Sequence, residues 1–281
     1  SSYIFRAFFA VRQNLSNSKG MPTNALYGFV NMLQKVVREK KPDYLAVIFD
    51  AKEKTFRHEM YTEYKANRSA PPEELVPQFP YFEPLVQSFN IVSLKKPGFE
   101  ADDIIGTLAK QGESSGFAVT IVSGDKDMMQ LISPNVCMLD TMKNKTFGID
   151  GVIEKFGVPP EKVIEAMALI GDSSDNIPGV KGIGPKNAAD LIKRFDTLEN
   201  LYENLDLIDK KKQREKIEND KDMAFLSRKL VTIDIDVKLD VTVEDLKFQT
   251  PDQKKINEFF RELEFDSLLV DSEEEQKIPD E

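Results

Sequence analysis

Seven carboxylates fall in three tight groups, Glu100-Ala101-Asp102-Asp103, Asp125-Lys126-Asp127 and Asp172-Ser173-Ser174-Asp175. An eighth, Asp50, closes the apolar run Tyr44-Leu45-Ala46-Val47-Ile48-Phe49. Clustered carboxylates repel one another and stay ionised only when something neutralises them. Hard divalent cations, Mg²⁺ above all, take oxygen ligands of this kind, commonly beside phosphate. Two such ions a few ångström apart activate water and stabilise the attacking and leaving oxygens of a displacement at phosphorus. A single Asp-x-Asp would mean little, and Asp102 and Asp103 would equally favour a helix start. Several acids, each where an apolar stretch stops, point together to metal-assisted phosphate chemistry.

Two further segments carry charge suited to a phosphate substrate. In Gly179-Val180-Lys181-Gly182-Ile183-Gly184-Pro185-Lys186-Asn187-Ala188-Ala189 the glycines permit a tight turn whose N–H groups can approach an anion. Pro185 would open a helix with its positive end toward that anion. A plain turn between helices explains the glycines, but neither Lys181 and Lys186 nor the apolar Val180 and Ile183. The glycine spacing is that of neither a Walker A nor a Rossmann loop. The second segment, 52–68, interleaves Lys52, Lys54, Arg57, Lys65 and Arg68 with Phe56, Tyr61 and Tyr64. Cations can track phosphates while aromatics stack on bases. A solvated amphipathic helix accounts for the composition as well, but the position directly after Asp50 favours substrate contact. His58, the sole histidine, is a poor candidate for a catalytic base.

The elements that must position these residues alternate. Tyr44–Phe49, Ile91–Leu94 and Ala118–Val122 are short, apolar and β-branched, as buried parallel strands are, and Val136–Leu139 is a weaker fourth. Asn24–Glu39 sets Leu26, Phe29, Val30, Leu33, Val36 and Val37 on one face, and Asp102–Gln111 carries Ile104, Ile105 and Leu108. This alternation predicts an α/β fold with a mainly parallel central sheet flanked by helices. Such sheets bind ligands beyond the carboxyl ends of their strands, which would gather Asp50, Glu100 and Asp125 at one rim. After about residue 150 the pattern turns helical. A helix is expected from Pro160 to Ile170 with Gly171 at its C-cap, and another starting at Thr250-Pro251 that buries Ile256, Phe259, Phe260 and Leu263. The tail 271–281 is acidic and aperiodic, suited to a linker.

The chain has 281 residues with 41% apolar and 31% charged content, an ordinary globular balance that leaves material for a sizeable core. No apolar run is long enough to predict a transmembrane helix, and no secretory leader pattern opens the chain. The lone Cys137 forms no internal disulfide, in keeping with a reducing compartment. A net charge of −10 argues at first against nucleic acid. Setting aside the eight carboxylates above leaves −10 + 8 = −2, and two divalent cations would make the remainder positive. Net charge therefore does not exclude DNA or RNA.

Taken together these residues resemble the bacterial 5′-nuclease family, that is, the 5′→3′ exonuclease domain of DNA polymerase I and its flap-endonuclease relatives. The resemblance runs from Ser2-Tyr3-Ile4-Phe5-Arg6-Ala7-Phe8 through FDAKEKTFRHEMYTEYKANR, EADDIIGTLA, SGDKD and GDSSDNIPGVKGIGPKNAA to Glu262-Leu263-Glu264-Phe265. It implies a PIN-like 5′-nuclease fold with a C-terminal helical region holding a helix–three-turn–helix element. The implied domains are an α/β nuclease domain over 1–155, with a helical arch at about 51–90, a helical DNA-binding region over 156–270, and the tail 271–281. By resemblance Asp50, Glu100, Asp102 and Asp103 surround a first metal site, and Asp125, Asp127, Asp172 and Asp175 extend to a second. Lys65 and Arg68 match arch residues that steer the scissile phosphate, Tyr64 an aromatic that stacks on substrate, and Arg57 a phosphate contact. Arg6, Lys52, Lys54, Gly179, Lys181, Gly182, Gly184 and Lys186 are the expected DNA-binding positions. Two or more Mg²⁺ or Mn²⁺ ions are expected, with K⁺ at the glycine turn. The implied function is 5′→3′ exonuclease and flap endonuclease activity on DNA with 5′ flaps, nicks or junctions, in replication and repair. The implied setting is a monomer in the bacterial cytoplasm and nucleoid, off the membrane, with a covalently linked C-terminal polymerase as a further partner.

One departure stands out. Family members begin with a strand ending Ile-Asp-Gly just before the Ser-Ser-Tyr that opens this chain, and that Asp is a metal ligand. A trimmed start is therefore expected. The rival reading is a structure-specific DNA-binding module impaired in catalysis. A single-strand-cutting ribonuclease is a second rival, disfavoured by the duplex-gripping glycine turn, and a phospho-aspartate phosphatase is a third, lacking its Asp-x-Asp-x-Thr.

Overall fold

The computed structural model describes residues 2–11 and 15–270. The acidic tail 271–281 lies outside the described residues. In chain order the elements begin with α1 (Ser2–Ala10), α2 (Asn24–Lys40), β1 (Ala46–Ile48), α3 (Phe56–Met60), α4 (Phe79–Ser88), β2 (Val92–Leu94) and α5 (Ala101–Ser114). There follow β3 (Val119–Val122), β4 (Val136–Asp140), β5 (Lys145–Phe147), α6 (Ile149–Phe156), α7 (Val163–Ile170) and α8 (Pro185–Phe195). The last are α9 (Leu198–Glu203), α10 (Lys211–Asn219), α11 (Lys221–Val231) and α12 (Gln253–Leu263). The chain divides into two compact units, one from the described residues of 1–49, 70–95 and 240–281, the other from 50–69 and 96–239.

In the first unit β1 and β2 pair in parallel, Ala46 opposite Val92 and Ile48 opposite Leu94. The strand expected over Tyr44–Phe49 is shorter because its start pairs elsewhere. Tyr44 bridges Lys247 and the Leu45 N–H donates to the Leu246 carbonyl at 2.9 Å. Helix α2 buries Leu26, Phe29, Val30, Leu33 and Val36, while Val37 of the expected face is only partly buried. Gln78, fully buried, accepts the Ala25 and Leu26 N–H groups at 3.0 and 3.2 Å, satisfying orphan donors of that helix start from a distant segment. Asp252, not Pro251, caps α12 by accepting the Lys254 and Lys255 N–H groups, so the helix begins at Gln253. Ile256, Phe260 and Leu263 enter the core with Phe82, Leu85 and Phe29, while Phe259 is only partly buried.

In the second unit β3 and β4 pair in parallel, and β4 pairs antiparallel with β5, a strand its Lys-Thr-Phe sequence did not announce. Asn144 adopts a left-handed φ of 49° just before β5. Beyond β5 the unit is helical. The segment Pro160–Lys162 is one 3-10 turn and α7 proper starts at Val163, burying Val163, Ala166, Met167, Ala168 and Leu169 at its centre. Gly171 ends α7 at φ +73°, as its C-cap position requires. The segment 52–68 is not one amphipathic helix. Thr55 caps the five-residue α3, with His58 Nδ1 accepting the Thr55 N–H at 3.1 Å, and turns continue through 61–67.

Candidate active site

The acids of the second unit converge through local backbone chemistry. Glu100 is the N-cap of α5, and Asp103 closes the capping box by accepting the Glu100 N–H at 3.0 Å. Asp50 Oδ1 accepts the next N–H of the same helix end, that of Ala101, at 3.0 Å. Asp125 follows β3 after Ser123-Gly124 and caps the 3-10 helix Lys126–Leu131, accepting the Asp127 N–H at 3.1 Å. Asp172 and Asp175 ride a hairpin closed by reciprocal bonds between Asp172 and Ile177 of 2.9 and 2.7 Å. That hairpin needs glycine at its base. A Cβ on Gly179, at φ +60°, would lie 2.5 Å from the Gly171 nitrogen.

Electrostatics reports how closely the groups stand. Asp102 is pushed up to about 7 by burial, then by Asp125, Asp50 and Glu100, with Lys65 opposing. Asp127 is pushed up to about 8 by burial, then by Asp125 and Asp172, with Lys126 opposing. Its Oδ1 is buried and, among the described residues, has no hydrogen-bond partner. For Asp172 the upward push of burial is outweighed by Lys126, whose Nζ lies 2.9 Å from Oδ2, and the carboxyl sits below its usual range. Among the described residues no three His, Cys, Asp or Glu side chains form a ready ligand cage. The acids are interleaved with cations instead.

Those cations come mainly from the turns after α3. Lys65 Nζ lies 2.6 Å from Glu100 and 3.5 Å from Asp175, and Arg68, half exposed, pairs with Asp175. Lys65 holds a left-handed φ of 57°, costly for a non-glycine residue and found where surroundings enforce it. Three bonds do so: Lys65 N–H to the Asp175 carbonyl at 2.9 Å, Asn176 Nδ2 to the Glu63 carbonyl at 2.6 Å, and Asn67 Nδ2 to the Ser173 carbonyl at 2.7 Å. The turn carrying Lys65 and Arg68 is thereby locked to the acidic hairpin. Sequence reasoning had not used Lys126, although it stands inside the Asp125-Lys126-Asp127 group.

Three expectations need correction. Arg57 is 2% exposed, and its guanidinium spans both Asp103 oxygens at 2.8 and 2.7 Å while bonding the Leu230 and Thr232 carbonyls. Four of its five N–H groups are thus engaged within the fold, and Glu100 lies 3.7 Å from Nη1. Asp103, wholly buried, also accepts the Glu100 and Asp234 N–H groups, so its oxygens hold four donors and none is left for a cation. Tyr64 is 3% exposed, edge-on to His58, with its hydroxyl 3.1 Å from Glu100 and 3.3 Å from Asp175, and it cannot offer a ring face to a base.

The glycine segment forms its turn as expected, with Val180 and Ile183 buried as anchors and Pro185 opening α8. The Gly179 N–H donates to Ser227 Oγ at 2.9 Å and the Lys181 N–H to Asp220 Oδ2 at 2.8 Å, two tertiary partners that no local pattern marks. Gly182 stands at φ +81°, Gly184 is the N-cap of α8, and the Lys181 and Lys186 side chains are exposed. Lys52 and Lys54 are exposed in the loop after Asp50. Arg6 lies on α1, in the other unit.

Residues 1–157 match the model of the 5′-3′ exonuclease, N-terminal resolvase-like domain, and residues 158–254 that of the 5′-3′ exonuclease, C-terminal SAM fold. The chain belongs to the 5′-3′ exonuclease family. It is similar to DNA polymerase I of Rhizobium leguminosarum, 49% identical over 275 residues that make up 95% of this chain and 27% of that protein. It is also similar to the 5′-3′ exonuclease of Aquifex aeolicus, 42% identical over 269 residues, 96% of this chain and 91% of that one. Among solved structures it resembles the bacteriophage T5 flap endonuclease in a pseudo-enzyme-product complex with DNA and metal ions. That match has 26% identity and a TM-score of 0.67, covering 81% of this chain and 85% of that chain. The chain spans between 27% and 33% of the first polymerase I relatives it matches.

Proposed function

We propose that this chain is a divalent-metal-dependent 5′-nuclease that hydrolyses phosphodiesters near the 5′ end of flap, nicked or branched duplex DNA. The observation that carries the reading is the meeting of Asp50, Glu100, Asp102, Asp125, Asp127, Asp172 and Asp175 with Lys65 and Arg68 in one unit. The donor set suits hard cations. Burial first, and then repulsion between neighbouring carboxylates, raises Asp102 and Asp127, and among the described residues the buried Asp127 Oδ1 has no protein donor. Asp102, Asp125 and Asp127, with Asp50, Glu100, Asp172 and Asp175 around them, would hold Mg²⁺ or Mn²⁺. Cations there would supply an activated water and neutralise charge at the phosphorus.

The chain's own residues do the rest. Lys65 and Arg68 orient the scissile phosphate and offset the charge that grows on its oxygens. Arg57, Asp103 and Tyr64 act indirectly, by fixing the end of α5 and the turn that carries Lys65. The glycine turn, with Gly179, Gly182, Gly184, Lys181 and Lys186, grips the duplex backbone with K⁺ as an accessory ion, while Lys52, Lys54 and Arg6 add phosphate contacts of the positioning kind. We assign nuclease chemistry to 1–155, with the arch at about 51–90, and duplex binding to 156–270. The setting proposed is a monomer acting on bacterial cytoplasmic DNA in replication and repair, with a polymerase as a covalent partner in the longer relatives' manner. Family membership over both regions does not favour a non-catalytic DNA-binding module. The test is cleavage of a 5′-labelled flap duplex with Mg²⁺ and with EDTA. Junction-proximal cutting that EDTA abolishes is expected, and cutting that survives EDTA would overturn the reading.

A further inference from the structure

Beside the glycine turn lies a second concentration of positive charge that the site described above does not use. Lys210-Lys211-Lys212-Gln213-Arg214-Glu215-Lys216 sets five cations against one carboxylate and runs into the first two turns of α10. This helix buries only Ile217. Lys210, Lys211, Lys212 and Lys216 are exposed and Arg214 is half-buried. Lys211 pairs loosely with Glu215 at 3.9 Å, whereas among the described residues Lys210, Lys212, Arg214 and Lys216 make no ion pair. Uncompensated cations in a chain of net charge −10 are a local choice, not a reflection of overall composition.

Two contacts join this stretch to the turn. The Lys181 N–H donates to Asp220 Oδ2 at 2.8 Å, and Asp220 is the C-cap of α10. A Cβ added at Gly182 would run into the Lys216 ammonium, which is therefore laid against the bare backbone of the turn. Lys212 stands four residues earlier on the same face, about 6 Å along the axis. That step is roughly two phosphates of axial rise on one strand of a duplex. The exposed surface of α10 has no aromatic ring on which a single-stranded base could stack and no apolar face for lipid. Point charges at this spacing beside an exposed turn suit a phosphate backbone.

We propose that α10 extends the duplex grip: Lys216 and Lys212, with Lys210, Lys211 and Arg214 around them, contact the phosphates next to those held by the glycine turn. The contact is sequence-independent and selects double-stranded over single-stranded nucleic acid. The proposal rests on the reading of this chain as a nuclease acting on duplex DNA.

The experiment measures binding of the full chain to a fluorescent 5′-flap duplex, and to a single strand of the same length, in EDTA between 50 and 200 mM salt, roughly the range in which phosphate contacts show their salt dependence. Variants are Lys212→Gln/Lys216→Gln and Lys212→Arg/Lys216→Arg. The Gln pair is expected to weaken duplex binding about tenfold and to reduce the log–log salt slope by about 2, one for each lost contact, with little change for the single strand. The Arg pair is expected to restore both, which a folding defect would not allow. An unchanged slope and affinity in the Gln pair, with the unaltered chain binding and cutting the flap, would overturn the role of α10 alone. Equal losses on duplex and single strand would overturn its duplex selectivity. Failure of the unaltered chain to bind the duplex at all would instead overturn the nuclease reading on which it rests.

Discussion

Replacing Arg57 by Met separates a structural from a substrate-contacting arginine. The guanidinium makes two bonds to Asp103 at 2.8 and 2.7 Å and two to the Leu230 and Thr232 carbonyls at 2.9 and 2.8 Å. Both partners of the ion pair have side chains at most 3% exposed. Burial would lower the arginine's pKa, but Asp103 more than reverses this and raises it above its ordinary value. Met fills most of the volume but leaves a buried carboxylate opposed only by two N–H groups, and breaking such a pair typically removes about 3–5 kcal/mol. Two orphaned carbonyls overlap with that penalty and do not add in full. The expected loss is thus about 4 kcal/mol, a large part of the roughly 5–15 kcal/mol that stabilises a domain. Urea unfolding followed by circular dichroism reads it as a lower midpoint at unchanged slope. The double variant Arg57→Met/Asp103→Leu should regain at least half, because no isolated charge remains. A loss under about 1 kcal/mol in Arg57→Met, with cleavage collapsing while the fold holds, would refute this placement and return Arg57 to the phosphate.

Further outcomes follow from the same geometry. Gly179→Ala should cost several kcal/mol or prevent folding, since its Cβ meets Gly171 backbone at 2.5 Å, while Gly182→Ala should cost only about 1 kcal/mol because it meets a movable lysine end; thermal melts compare them. Asp102 and Asp127 have folded pKa values raised to about 7 and 8, so the folded state holds extra protons, and stability present below about pH 4 is lost as pH rises through 7–8. The metal-free chain should therefore melt lower at pH 8.5 than at pH 5, Mg²⁺ should restore more at pH 8.5, and Asp127→Asn should flatten the slope; a melting temperature rising with pH would contradict it. Lys65→Ala should lower kcat for flap cleavage by about 10²-fold with a smaller change in KM, the pattern for a group that acts on the transition state.

Much of this was legible because it is local. A β-branched run such as Val119–Val122 forms a strand, although only Ile121 of it is buried, an acid after it falls at a strand end, and glycines with positive φ recur where the backbone must double back. Helix α5 and the turn at 179–184 were readable on those grounds. What stayed hidden was tertiary. Arg57 looks the same in sequence whether it faces a phosphate or an aspartate 46 residues away. Tyr64 reads as a stacking aromatic until its hydroxyl is seen against Glu100. The basic run before and within α10 gains meaning only from the backbone of Gly182 beneath Lys216. Strand β5 has too little apolar pattern to announce itself, and pairs because Asn144 turns the chain back onto β4.

The central claim is that the acids converging around Asp127 hold the ions that cut the phosphodiester. It is tested most directly by incubating the chain with a 5′-labelled flap duplex in Mg²⁺ beside an Asp127→Asn variant shown to be folded. Cutting near the junction, slowed at least about 10²-fold in the variant and absent in EDTA, is the predicted result. Cutting that persists in EDTA or at full rate in the folded variant would contradict the account.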